Sequence, residues 1–442
     1  MKNGFLSLVM VAFCLVLFTE TSKGIPAFSR KYKTSCATCH VAFPKLTPFG
    51  EAFRRNGYQF PDGGDAEATK EEPVSLGAEG NKRAFPDAIW PNSIPGTTPV
   101  SVIAELEATY APRETPKWNF APLEGEVELI SAGTLGEDIS FLGELEIVDD
   151  AIEIERANII FSNLLGGSTS MFNLKLGKFE PGVFSFSHFR RISPAYGITT
   201  GTLGDNNWSL ETAQKGLELN GVLADGRLGY NAGLVEGRKN LANSQKDFYG
   251  HLNYKIGGMR LNGVVPTGAP AVTAASQPWQ DNSVQLGGFV YSGTATLGDK
   301  IEKRESLPDT TYVGGFDDSF QTIGGDINIW YDRLNVISAF AIQSDKKPFV
   351  ATPTVKSSLT SFMVEASYIV YPWFVPLARL ENSTVKDATT SDTKIISALQ
   401  FLVRANVRCA MEFNFASEPS STDPTKTDLK FSEFALGVTF GL

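Results

Sequence analysis

Cys36, Ala37, Thr38, Cys39 and His40 place two thiols and an imidazole within five consecutive residues. This is the spacing of covalent haem attachment. The two thiols add across porphyrin vinyl groups as thioethers. The two intervening residues set the sulfur separation, and the adjacent histidine offers a ring nitrogen to the iron. Two other uses of a Cys-x-x-Cys pair compete. A thioredoxin-type redox disulfide needs a βαβ pattern around it, which the flanks lack. A structural zinc site needs a second pair of soft ligands, and none follows. The expectation is one haem c, held by Cys36 and Cys39, with His40 as an axial ligand.

The flanking residues suit such a group. Phe43, Leu46, Phe49, Phe53, Tyr58 and Phe60 supply an apolar wall. The spacing of Phe49 and Phe53 predicts a short helix that ends at Asn56-Gly57. Lys33, Arg54 and Arg55 are placed either to pair with haem propionates or to stand as solvated surface charges. The sixth iron ligand is not evident, because neither His nor Met occurs between His40 and Met171; the site is either open or weakly liganded, or takes its ligand from the second domain. A histidine ligand would have to be His251, in a strand, or His188, in the loop-like stretch of about 180–212; the loop position reaches further, so His188 is the distal candidate. The alternative is that both are ordinary polar residues, one lining a wet pore and one in a loop.

The motif follows a leader. Lys2 is basic, Phe5 to Phe18 is nearly all apolar, and Ser22 and Gly24 are the small residues a signal peptidase requires. Residues 1–24 are therefore expected to be a secretory signal peptide, since the apolar run is short for a membrane anchor. Cys14 lies inside that run, which leaves Cys36, Cys39 and Cys409 in the exported chain, too few for a disulfide scaffold. Loss of the leader moves the formal charge from −10 to −11. An acidic exported chain is a poor nucleic-acid binder and a natural partner of cations.

Residues 25–60 form the expected small α-helical mono-haem cytochrome c domain, and 61–100, rich in Gly, Pro, Asp, Glu and Asn, a linker or irregular segment. From 101 to 442 the chain turns to period-two alternation. Phe434, Leu436, Val438, Phe440 and Leu442 share one face, and Val407, Cys409, Met411, Phe413 and Phe415 repeat the design. Cys409 then serves as a small hydrophobe. Leu252, Tyr254 and Ile256 oppose His251, Asn253 and Lys255; Ile323, Ile327 and Ile329 oppose Thr322, Asp326 and Asn328. Tight turns are expected at Ala224-Asp225-Gly226, Gly257-Gly258, Tyr331-Asp332, Tyr371-Pro372 and Arg404-Ala405, with long polar loops between many of them. Short turns on one rim and long loops on the other are the outer-membrane barrel pattern. The expected fold is all-β: an antiparallel outer-membrane β-barrel of about 16 strands, with 18 as the next choice because the short–long alternation of the connections fails between about 283 and 320. A soluble β-sandwich would not need so many strands in one run.

Glu126, Glu128, Glu144, Glu146, Glu153 and Glu155 alternate with apolar residues and are expected to face the lumen, where their field would attract cations.

A haem motif ahead of a barrel resembles the fused outer-membrane cytochrome c–porin family of iron-oxidising bacteria. The likeness rests on Pro26-Ala27, Tyr32, Cys36-Ala37-Thr38-Cys39-His40, Pro44-Lys45-Leu46-Thr47, Phe49-Gly50, Phe53 and Asn56-Gly57-Tyr58, and for the barrel on architecture alone. It implies an electron-transfer protein in the bacterial outer membrane. Ferrous iron would be the extracellular donor and a periplasmic c-type cytochrome or other carrier the acceptor; as an enzyme it would be an iron(II)-oxidising oxidoreductase. Three other uses stay open at this point: a diffusion porin with a haem gate or sensor, a conduit for a different donor, and a soluble periplasmic carrier.

Overall fold

The computed structural model describes residues 27–60, 65–72, 74–75, 79–87, 93–96, 99–136, 138–148, 151–166, 170–187, 189–194, 196–237, 245–265, 281–297, 315–388, 391–404, 406–419 and 427–441. The expected leader and the distal candidate His188 lie outside this set.

Sixteen long strands follow one another: β1 (Val100–Tyr110), β2 (Trp118–Thr134), β3 (Ile139–Val148), β4 (Ala151–Phe161), β5 (Asn173–Phe179), β6 (Gln214–Leu223), β7 (Leu228–Val235) and β8 (Asp247–Gly257). Then come β9 (Asp281–Leu297), β10 (Phe316–Asp332), β11 (Leu334–Asp345), β12 (Ser357–Tyr368), β13 (Phe374–Val385), β14 (Asp392–Arg404), β15 (Val407–Pro419) and β16 (Thr427–Gly441). Each pairs antiparallel with its sequence neighbours. β16 returns to β1, from Phe434 opposite Tyr110 to Gly441 opposite Ile103, and closes the sheet. Sixteen is the number expected from the alternation.

The wall is apolar outside and polar inside. On β8, Leu252 is 60% exposed and Ile256 55%, whereas His251 and Asn253 are each 2% exposed. A water-soluble sandwich would reverse this order. Lipid satisfies the outer face, and the closed ladder leaves no backbone edge unpaired. Tyr331, Tyr371 and Trp373 stand exposed near one rim and Trp118 and Phe120 near the other, as membrane-interface aromatics do.

The rims differ as expected. Turns 135–138, 224–227, 333, 369–373 and 405–406 are short and share one rim, with Val100 and Gly441 beside them. Ala224 (φ 50°) and Asp225 (φ 54°) adopt the left-handed conformation that a tight hairpin demands. One expected turn is corrected. Gly257-Gly258 does not close a hairpin; it opens the long connection to Asp281, which shares the short-turn rim with a second longer connection, from Phe161 to Asn173. The stretch 283–320 runs from within β9 to the start of β10, two strands of 17 residues each.

Two inserts occupy the lumen. The first is N-terminal: α1 (Ala27–Tyr32), a 3-10 turn at Cys36–Thr38, a small hairpin of His40–Ala42 with Lys45–Leu46, and α2 (Pro48–Arg55). α2 stands where the Phe49–Phe53 spacing placed it. Thr47 caps it by accepting the Gly50 N–H at 3.1 Å, and Pro48 opens its first turn. The insert completes its apolar clusters with the barrel wall. Tyr32, Phe53 and Tyr58 pack with Ala132, Leu142 and Ile160, and Val41 and Ala42 with Trp330, Val375 and Leu377. Each buried ring contributes on the order of 1.5–3 kcal/mol. The following stretch begins with the helix Asp65–Ala68, whose Asp65 accepts from the Phe60 N–H and the Tyr32 hydroxyl.

The second insert is the 180–213 connection between β5 and β6, which enters from the long-loop rim. Phe184, Phe186, Tyr196 and Trp208 pack inside against Tyr249, Phe289, Tyr291 and Phe320.

Candidate functional site

Cys36, Cys39 and His40 open on one cavity of about 1040 Å³ inside the barrel. The N-terminal insert forms its floor at the short-turn rim. The Ala27 N–H donates to Ser101 Oγ (3.0 Å), Arg408 to the Phe43 carbonyl (3.0 Å), and Lys45 Nζ to Glu365 (3.1 Å) and Ser367 (3.0 Å). Ser101, Ser367 and Arg408 all lie near strand ends at that rim, which in such barrels faces the periplasm.

Local structure fixes the motif. Cys36–Thr38 is a 3-10 turn that ends with the Cys39 N–H donating to the Cys36 carbonyl at 3.1 Å. The Thr47 N–H donates to the Cys39 carbonyl at 2.9 Å, which ties the start of α2 to the motif. Gly50 is required for this approach, because a Cβ there would stand 2.1 Å from the Cys39 oxygen. Gly57 (φ +66°) ends the helical stretch and lies against Ser162 of the wall.

His40 Nδ1 lies 3.0 Å from the Pro44 carbonyl. That bond puts the proton on Nδ1 and leaves Nε2 with its lone pair, which is how ligating histidines are usually oriented. Burial pushes the His40 imidazole down to about 4, so the ring is neutral at pH 7. Burial raises the Cys36 thiol and, with Cys36 beside it, takes Cys39 up to about 12. Both cysteines are free thiols. These three residues are the ones on this wall that could hold a covalently attached cofactor.

Phe43, Leu46, Phe53, Tyr58 and Phe60 line the cavity as the sequence suggested, and Phe28 joins them. Phe49 stands behind, with its ring 5.2 Å from Phe60. Of the three basic residues near the motif, Arg54 alone lines the cavity, and it is bonded to Glu51 at 2.8 and 3.0 Å. Arg55 points to a smaller space beside Lys255, and Lys33 is exposed.

The lumen is less uniformly acidic than expected. Glu128, Glu144, Glu146 and Glu155 do line the cavity, and Glu153 sits opposite Glu146 on the neighbouring strand. The Glu126 side chain lies outside the described residues. Glu144, however, is ion-paired with Arg156, and Arg190 and Arg191 of the second insert form a basic sector with it. Arg156 also covers the Phe189 ring at 4.9 Å. This basic sector was not anticipated; the Arg190-Arg191 pair in the long loop was its signal. His251 does face the lumen, but its Nε2 is held by Asp326 Oδ1 at 3.0 Å, and it does not line this cavity.

No family model matches the chain, and no curated protein matches its sequence. Solved structures do match its fold. The anion-selective porin of Comamonas acidovorans aligns with a TM-score of 0.51 at 12% identity, covering 78% of this chain and 98% of that one. OmpF of Salmonella typhi, solved with daunomycin, aligns with a TM-score of 0.50 at 10% identity, covering 78% and 97%. Together with the closed wall and its apolar outer face, this makes the chain a porin-like β-barrel of the bacterial outer membrane.

Proposed function

We propose that this chain is an outer-membrane mono-haem cytochrome–porin that takes electrons from extracellular ferrous iron and passes them to a periplasmic carrier such as a c-type cytochrome. The observation that carries this reading is the convergence of Cys36, Cys39 and His40 on one cavity within the lumen.

The residues fit haem c. Both thiols are free, His40 presents an unprotonated nitrogen, and the aromatic rings of Phe28, Phe43, Phe53, Tyr58 and Phe60 line the same cavity. The cavity is at the upper end of the roughly 300–1,000 Å³ that cofactor sites occupy. Cys36 and Cys39 would hold the porphyrin and His40 the iron, and the group would supply reversible one-electron chemistry. Arg54, Arg156, Arg190 and Arg191 are placed to pair with its carboxylates. The wall keeps the imidazole neutral, and the Pro44 carbonyl holds its orientation. Iron as donor rests on the family resemblance and on the carboxylates of the lumen.

The position also suits transfer across a membrane. A barrel's apolar band is about 25 Å tall, so a single redox group serves both sides only from within the lumen. The porin fold itself favours a second reading, a diffusion porin whose N-terminal insert is a gate. Oxidised protein mixed anaerobically with ferrous iron, followed at the Soret band, separates the two. Reduction is expected, with haem retained on denaturing gels and lost from the Cys36→Ala, Cys39→Ala variant. A protein reduced by dithionite but never by ferrous iron would remove iron as the donor.

A further inference from the structure

At the long-loop rim, one side chain of the second insert joins two strands of the wall. Asn206 Nδ2 donates to Asp345 Oδ2 at 2.9 Å and to Asp318 Oδ2 at 3.2 Å. Asp318 stands near the start of β10, and Asp345 is the last residue of β11. Asn206 and Asp318 are fully buried, and Asp345 is 3% exposed. The outward series of β10 begins Asp317, Ser319, Gln321 and reaches its first apolar member at Ile323, so the pair lies beyond the apolar band.

The Asp345 and Asp318 side chains also hydrogen-bond to each other. Ionised carboxylates only accept, so one of the two carries a proton. Asp345 Oδ1 is the place for it, because that oxygen is buried and no other described residue donates to it. The remaining partners are neutral donors. Gln343 Nε2 lies 3.3 Å from Asp345 Oδ2, and the Lys347 N–H 2.7 Å from Asp318 Oδ1. β9 sets Ala295 opposite Asp318, and β12 sets Ser357 opposite Asp345. The charged side chains nearby are turned elsewhere. Lys346 and Lys347 are exposed, with Lys347 Nζ over the Phe316 ring at 5.8 Å. Asp205 accepts from the Val350 N–H at 2.7 Å, and Asp317 from Thr296 at 3.0 Å.

The stretch that Asn206 anchors closes on the connection after β11. The Asp205 N–H donates to the Pro348 carbonyl at 2.7 Å, and the Trp208 N–H to Asn206 Oδ1 at 3.1 Å. The Trp208 ring lies 4.4 Å from that of Tyr291 and 4.6 Å from that of Phe320.

We propose that Asp318 and Asp345 share one proton and form a pH-sensitive latch on residues 203–208, closed in acid and released as the pH rises. Two carboxyl groups that share a proton release it only above the range in which a lone carboxyl ionises. Below that point the pair holds Asn206 as a single hydrogen-bonded unit. Above it, two anions face each other in a dry site. Their repulsion drives one carboxylate towards water, and Asn206 loses a partner. The latch works whatever group the Cys36–His40 motif carries, and it governs the outer mouth of the lumen.

The test reads amide hydrogen exchange of the detergent-solubilised full chain by mass spectrometry, each rate taken relative to the intrinsic rate at the same pH. Between about pH 5 and about pH 9, exchange in 203–208 should rise about tenfold or more. Asp345→Asn keeps a donor towards Asp318 and cannot ionise, so its exchange there should stay at the acid level throughout. Asp318→Asn should behave alike, and either variant carries the test where the other fails to fold. Exchange at 182–185, where Glu218 and Asp326 hold the insert, should not follow pH. A wild type without the rise, a rise that persists in a folded variant, or an equal rise at 182–185 would each overturn the proposal.

Discussion

The two inserts fill one lumen from opposite rims and are held in different ways. The N-terminal insert shares two apolar clusters with the wall, through Tyr32, Phe53, Val41 and Ala42, and ties its Lys45 to Glu365 by an ion pair. The 180–213 insert shares one larger apolar cluster and adds a series of latches to its backbone. The Gly182 N–H donates to Glu218 and the Ser185 N–H to Asp326, both at 3.0 Å. Arg379 donates to the Pro194 carbonyl at 2.7 Å and Gln400 to that of Ile192 at 2.8 Å. Packing tolerates a segment that brings its own chemistry, since any well-shaped apolar surface satisfies the wall. Backbone latches fix one path for the chain and suit a segment whose task is to shape the cavity and aim Arg190 and Arg191 into it.

The largest effect is expected from removing the first insert altogether. A chain lacking residues 27–60 should still form a heat-modifiable barrel, and its single-channel conductance in planar bilayers should rise several-fold. Unchanged conductance would show that the second insert alone seals the lumen, and the comparison would fail.

A smaller effect is expected at the latch. Asp326→Ala strips partners from both the Ser185 N–H and His251 Nε2. Each buried group left unsatisfied costs about 1–3 kcal/mol. Urea unfolding in detergent should register that loss, with haem retention unchanged because the motif hangs on the other insert.

The finest contrast lies within the N-terminal region. Gly50→Ala forces a Cβ onto the Cys39 carbonyl and should cost about 1–3 kcal/mol while lowering haem retention. Gly80→Ala, in the helix Glu79–Ala84, meets nothing within 4 Å and should stabilise by about 0.5–1 kcal/mol. Equal effects at the two glycines would mean that α2 does not press on the motif.

The barrel was legible in the sequence because its signal is local: Leu252, Tyr254 and Ile256 show their face at every second residue. The short–long order of the connections failed between about 283 and 320, where two 17-residue strands, β9 and β10, flank a long connection and where Gly287, Gly288 and Gly293 leave no side chain to mark either face. Gly257-Gly258 misled because a left-handed glycine pair starts a long connection as readily as it makes a tight turn. The motif was equally plain, being five adjacent residues. Glu412, Arg156 and Arg190 meet at the cavity only through the closure of the sheet, so nothing in their sequence neighbourhoods marks them. The sharing of the N-terminal clusters with the wall was hidden for the same reason.

The seam between β16 and β1 has a consequence in time. Its strands are the last and the first of the barrel, and the N-terminal insert is tied just there, through Arg30 to the Val100 carbonyl and Ala27 to Ser101. A sheet that zips shut along this line encloses its own leading segment. The residues that border this line of closure are the same ones that hold the leading segment, so seating the insert and completing the seam are coupled events.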